Sequence, residues 1–408
     1  MRHHINCRHR LLSTLPVLAA GLAILASSCI SFSDSDRGYL IAAAQEPVGL
    51  PFDTDTGLII LEATVNGEKG RFLFDNGFTL SAVNERFSRR AAIDFSSSSN
   101  VRDANNVSAR LQEATVGRTN IGGQVFVDTG FYLLETDLFL PCDSIDGIIG
   151  ASIINKVNWQ IDFERNEMLV SSLPFDDGGS SFPVSISANN STFAEFEINS
   201  IPIRTKIDFG RSGSFKMGYD EFRSSFSGET VEVRTGISSL SATGLGSSDS
   251  TYRLVDRYNV AANGQLYPSS GEIDLTKKLK YQAYVGLSWF NQYRVTINST
   301  RDEYVLDQSD YSEDNSIQSR YPITVYPVDG VYRIIRINAS DPITEHVSLM
   351  DEVGSIDGRP MDSFSDLCEF QALIKEKKEL NESWTLRTTA DDVEIEIPLK
   401  VPETSVLR

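Results

Sequence analysis

Residues 57–87, GLIILEATVNGEKGRFLFDNGFTLSAVNERF, and residues 191–222, STFAEFEINSIPIRTKIDFGRSGSFKMGYDEF, carry one pattern twice. Each copy reads strand, turn, strand, then Asp-X-Gly, a polar turn and a short helical stretch ending in Glu-Arg-Phe or Asp-Glu-Phe. Asn66-Gly67 is a hairpin signal, because both residue types accept the positive φ of a two-residue turn. The copies match again further on, where residues 145–170, IDGIIGASIINKVNWQIDFERNEMLV, lie over residues 282–306, QAYVGLSWFNQYRVTINSTRDEYVL. Each of these has two apolar residues, a glycine, a short helical stretch and a hairpin turning at charged residues. Asp75 and Asp208 stand 133 residues apart, and Gly150 and Gly286 stand 136 apart. Four anchors kept in order and spacing mark an internal repeat.

Outside the repeat the chain divides by composition. Residues 1–28 read as an export signal: Arg2, Arg8 and Arg10 precede an apolar run from Leu11 to Ala26. The run ends in Ala26-Ser27-Ser28-Cys29, which resembles a bacterial lipobox, and that resemblance makes Cys29 the acylated first residue of the mature chain. Ordinary cleavage after Ala42-Ala43-Ala44 is the alternative, at a greater distance from the apolar run. Residues 29–48 read as a tether, in which Asp34 and Asp36 faintly resemble an acidic surface-export signal. The expected location is a bacterial envelope, lipid-anchored, facing the periplasm or exposed at the surface. Beyond the signal no apolar run is long enough to span a bilayer.

Loss of residues 1–28 removes three arginines and no acids, so the formal charge moves from −19 to −22. Such a surface repels phosphate backbones, and no nucleic-acid partner is expected. His346 is the only histidine outside the signal, which argues against histidine-based zinc sites and against a serine or cysteine nucleophile with a histidine base. No metal and no cofactor are implied. Cys142 and Cys368 fall in different expected domains, so a disulfide between them is not expected.

Residues 307–320, ending the repeat, form a polar acidic linker without the glycine and final glutamate of an EF-hand loop. From 321 to 408 the pattern changes to strand, loop, strand, turn, helix, strand, strand. DEVGSIDGRPM (351–361) is similar to the signature of bacterial PDZ domains, with Asp351, Asp357, Gly358 and Pro360 at its fixed positions. That resemblance implies an α+β domain that adds a peptide strand to its sheet edge. A glycine-rich loop for a peptide carboxylate is not recognisable.

The repeat itself, with Asp-X-Gly after an apolar strand and a later apolar-apolar-Gly segment, resembles pepsin/retropepsin-type aspartic peptidases, above all two-lobed bacterial retropepsin-like proteins. The resemblance covers residues 56–306 and implies a mainly β, bilobal fold with lobes at 49–175 and 176–306. It places the catalytic pair at Asp75 and Asp208, in supporting loops made by Asn76, Gly77, Phe209 and Gly210. Two carboxylates held close cannot both ionise, so they share a proton and can act together as base and acid. Asp128-Thr129-Gly130 has the family's tripeptide but neither its spacing nor a second copy, and reads as a turn. Where the family has a threonine or serine after each aspartate, this chain has Asn76 and Phe209; after the glycines stand Phe78 and Arg211. An Arg211 turned toward the pair would favour the doubly ionised form. Residues 101–123 and 231–250 occupy the places of the two flap hairpins.

Three readings follow: an envelope aspartic endopeptidase acting on peptide or protein substrate, an inactive pseudopeptidase holding extended peptide, and a structural lipoprotein whose aspartates only cap turns. The sequence does not speak to oligomeric state.

Overall fold

A computed structural model describes residues 38–54, 57–102, 108–134, 142, 144–176, 178–228, 230–237, 240–241, 244–245, 248–308, 320–390 and 393–400. The signal, Cys29 and most of the acidic linker lie outside the described residues. Among the described residues no helix is long and apolar enough to cross a membrane. The described residues form one compact unit.

The fold is mainly β, with the two-lobed architecture of acid proteases. In the first lobe Ile60–Val65 and Glu68–Asp75 pair antiparallel around Asn66-Gly67, both at positive φ. Glu68–Asp75 then takes Gly147–Gly150 as a parallel neighbour, which sets Gly150 opposite Asp75. The second lobe repeats each step. Thr192–Ile198 and Ile201–Ile207 pair antiparallel around Asn199-Ser200, again both at positive φ. Ile201–Ile207 lies parallel to Ala283–Val285. A second parallel pair recurs as well: Ser81–Asn84 beside Thr129–Leu134, and Phe215–Gly218 beside Gln265–Thr276.

A six-stranded antiparallel sheet joins the lobes. Its order is Val48–Asp53, Glu167–Ser171, Asn158–Asp162, Tyr293–Asn298, Glu303–Gln308 and Ser180–Ile186. The charged hairpins Asp162–Glu167 and Asn298–Glu303 are thus equivalent outer turns of one sheet. Period-2 alternation buries one face, and Trp159, Ile161, Val295, Ile297 and Tyr304 enter a core continuous through both lobes.

The first short helix starts later than the sequence pattern suggests, whereas the second, Tyr219–Phe222, falls where expected. Ser81–Asn84 is strand, and the helix is Glu85–Arg90, capped where Asn84 Oδ1 accepts from Phe87 N at 2.8 Å. Tyr39–Ala42, assigned to the tether by sequence, is instead an edge strand on Gln124–Val127. Backbone pairing with the open edge holds this strand rather than burial, since Tyr39 and Ile41 remain 63% and 57% exposed.

After residue 320 come strands Ile323–Val328 and Val331–Asn338, strand Val353–Ile356, helix Leu367–Glu379 capped by Asp366, and strands Trp384–Thr388 and Ile395–Ile397. These have their own core, drawn from Ile323 to Ile397. Val331–Asn338 also pairs with Thr230–Ile237 of the second lobe, Arg234 opposite Asn338 and Gly236 opposite Arg336. Cys142 and Cys368 are disulfide-bonded, with Cα atoms 5.1 Å apart. The contrary expectation assumed that the C-terminal region hangs free on its linker, whereas strand addition seats it on the body.

Candidate active site

Each aspartate sits where a buried strand gives way to a tight loop. Asp75 closes Glu68–Asp75; Asp208 follows Ile201–Ile207, and its N–H donates to Val285 O at 3.0 Å. The glycines two residues on make the approach possible. A Cβ on Gly77 would run into the Asp208 carboxylate, and one on Gly210 into that of Asp75. Each carboxylate therefore lies over the backbone of the opposite loop, and only glycine leaves room.

Equivalent hydrogen bonds fix the loops from beneath. Ala151 N donates to Phe78 O at 2.8 Å, and Leu287 N to Arg211 O at 2.7 Å. Gly150 and Gly286 open these short helical turns, and a Cβ at either would strike the loop backbone above it. The apolar-apolar-Gly segments are thus supports for the aspartate loops.

The junction between the loops is asymmetric. Asn76, fully buried, accepts from Phe209 N at 2.8 Å and donates from Nδ2 to the Tyr304 hydroxyl at 3.1 Å. Phe209 has no side-chain polar group to return, and its ring packs against Phe290 and Phe74 with centroids 5.0 and 6.1 Å away. One side of the lock is polar, the other aromatic.

Asp75 is 8% exposed, and Gly77 N and Phe78 N donate to its Oδ1 at 2.7 and 3.2 Å. Its carboxyl is nevertheless pushed up to about 7, first by burial and then by the charge of Asp208; Lys206 and the two N–H groups pull the other way. A carboxylic acid that holds its proton toward neutrality beside a second carboxylate is the arrangement that acid–base chemistry by a pair requires.

The cation at the pair is Lys206. It is 6% exposed, donates to Gly77 O at 2.7 Å, and lies 5.6 and 5.9 Å from the ring centres of Tyr281 and Tyr284. The sequence reading missed it. The available signal was a lysine two residues before Asp208, on the same strand face, where the first copy has the buried Leu73. Arg211, the residue suspected there, is held by Asp274 at 3.0 Å.

Asp128-Thr129-Gly130 takes no part in the site. Asp128 has φ +54 in the turn between two strands, and Thr129 is buried against Thr119. Phe78 belongs to an apolar wall beside Asp75 with Leu73, Leu80, Leu111, Tyr132 and Ile148. The flap positions are hairpins, Ser97–Arg102 with Ser108–Val116 and Thr230–Ile237 with Ser248–Ala262. Residues 103–107, at the tip of the first, lie outside the described residues. His346 is exposed, and no group of three or more His, Cys, Asp or Glu is placed to hold a metal among the described residues.

Comparison with known proteins agrees with this geometry in part of the chain. No protein with a curated description matches. Among solved structures, basic 7S globulin from soybean is 13% identical, with 65% of this chain and 95% of that chain covered and a TM-score of 0.40. The aspartyl protease family model matches residues 61–153, the stretch that contains Asp75, its loop and the supporting Gly150.

Proposed function

We propose that this chain is an envelope-anchored aspartic endopeptidase that cleaves peptide bonds with Asp75 and Asp208. One observation carries the reading: two symmetry-related carboxylates face each other over opposing glycines, and Asp75 is pushed up to about 7 by burial and by Asp208. With one proton between them, the ionised carboxylate takes a proton from a water, whose oxygen attacks the scissile carbonyl. The protonated partner donates to the developing oxyanion and then assists departure of the amine. The Asn76 lock fixes the two loops relative to each other, and the wall around Phe78 offers an apolar surface beside the pair.

Acylation at Cys29 would anchor the chain in a membrane, and a disulfide such as Cys142–Cys368 suits the oxidising side of one. The C-terminal region is proposed to be PDZ-like. In support, the strand Ile323–Val328 and the helix Leu367–Glu379 flank a cavity of about 470 Å³ lined by Ile323, Val325, Phe370 and Ile374.

A second reading is favoured by Lys206, whose ammonium occupies a backbone carbonyl in the aspartate loop: a pseudopeptidase that holds peptide without cutting it. A mixed peptide library offered to the full chain from acid to neutral pH separates the two. Cleavage abolished by Asp75→Asn supports the peptidase; cleavage that survives it removes the paired-carboxylate mechanism. Binding without cleavage at any pH supports the second reading.

A further inference from the structure

A second concentration of charge lies where strands of the second lobe meet Val331–Asn338. It surrounds a cavity of about 20 Å³ lined by Arg211, Lys216, Arg234, Asp249, Asp274 and Arg336. Its carboxylates are already engaged. Asp274 takes Arg211 at 3.0 Å and Arg253 at 2.9 Å, and Asp249 accepts from the Thr276 hydroxyl and from Ser250 N. Arg234 pairs with Glu232 at 2.9 Å, and Arg336 Nε donates to Ile237 O at 2.8 Å.

Two donors are left over. Lys216 is 8% exposed, and its ammonium forms no hydrogen bond or ion pair among the described residues. The Arg211 Nε–H is buried with no acceptor. With the partners of these pairs included, six cations (Arg211, Lys216, Arg234, Arg253, Arg320 and Arg336) stand against four carboxylates (Glu232, Asp249, Glu272 and Asp274), which leaves local positive charge without a counter-charge. Burial first, and then repulsion from Arg211, pushes Lys216 down to about 8, with Asp274 and Asp249 opposing and Arg336 adding repulsion. Unpaired buried donors and charges are expensive, and in folded proteins they mark the place of a water or an ion. The cavity has room for a water or a monatomic ion.

We propose that this cavity binds a single halide ion, chloride in practice, between Lys216 Nζ and Arg211 Nε. Arg211 belongs to the loop of Asp208, and Arg336 to the strand by which the C-terminal region docks. The ion holds Arg211 on its Asp274 side, next to that docking strand.

The test is thermal melting of the full chain at constant ionic strength, with chloride replaced stepwise by gluconate, which cannot enter. The melting temperature should rise with chloride by about 2–4 °C and then saturate, as for a ligand bound by the folded state alone. Lys216→Met should abolish the saturable rise. Equal melting in both salts, or a chloride response that persists in Lys216→Met, overturns the proposal. Should that variant not fold, crystals of the wild type in bromide decide: an anomalous peak beside Lys216 Nζ supports the site, and a water there overturns it. None of these readouts depends on peptidase activity, so they stand apart from the proposed chemistry.

Discussion

The two aspartate loops share a backbone but not a chemistry. Both descend from an antiparallel hairpin, both lean on a parallel strand that leads into a glycine at its end or just after it, and both set a glycine beneath the opposing carboxylate. Around that frame the first loop is apolar above and polar below, with Leu73 and Phe78 beside Asp75 and Asn76 in the lock. The second is the reverse, with Lys206 and Arg211 flanking Asp208 and Phe209 buried beneath. Backbone geometry is what pairs the carboxylates, so it is duplicated. Side chains only set their environment, and one lobe can supply what the other lacks.

The comparison can be broken most directly at the carboxylates. If both loops serve one reaction, Asp75→Asn and Asp208→Asn should each reduce peptide cleavage by about 10²–10⁴-fold or more, measured with a cleaved library peptide. A variant of one lobe that keeps near-normal turnover would show that the pair does not act together.

The lock is sharpened by unequal losses. Phe209→Ala empties an aromatic site and should destabilise the chain by about 3–5 kcal/mol in denaturant unfolding. Asn76→Ala leaves the Phe209 N–H without its acceptor and should cost about 1–3 kcal/mol. Equal losses would mean that the two sides of the junction are not chemically distinct.

The hydrogen-bond half of the lock was partly legible in the sequence, because asparagine can replace a hydroxyl as an acceptor. The lobes were legible for a stronger reason: Asp-X-Gly and apolar-apolar-Gly have to meet, and their spacing recurs. Lys206 was legible only as a lysine on the strand face of Asp208, and since a strand lysine ordinarily faces solvent, its contact with Gly77 O came from the tertiary fold. Strand addition by Val331–Asn338 and the Cys142–Cys368 bond are contacts across more than a hundred and two hundred residues respectively, and no local pattern encodes them.

Titration tests the asymmetry between Leu73 and Lys206. Cleavage should decline as pH rises through about 7, where Asp75 loses the proton the pair needs. Lys206 lowers that pKa, so Lys206→Met should move the decline to higher pH, while Leu73→Met leaves it in place. A decline that does not move with Lys206→Met would detach this lysine from the pair.

The smallest expected effect is on stability. Asp75 binds its proton more tightly folded than unfolded, so its contribution is full below the ordinary carboxylate range and is lost as pH rises from about 4 to about 7. Asp75→Asn should flatten that slope in melting curves and leave the chain relatively more stable at pH 8. An unchanged slope would assign it to other groups.

The Cys142–Cys368 bond turns residues 142–368 into a covalent ring. Asp208 and the whole second lobe lie inside it; Asp75 lies on the open tail that precedes it. A nick anywhere in the ring, the acidic segment after residue 308 included, leaves the molecule in one piece until it is reduced. The two aspartates thus differ in one more way: a single backbone cut can shed Asp75 from the oxidised chain, but not Asp208.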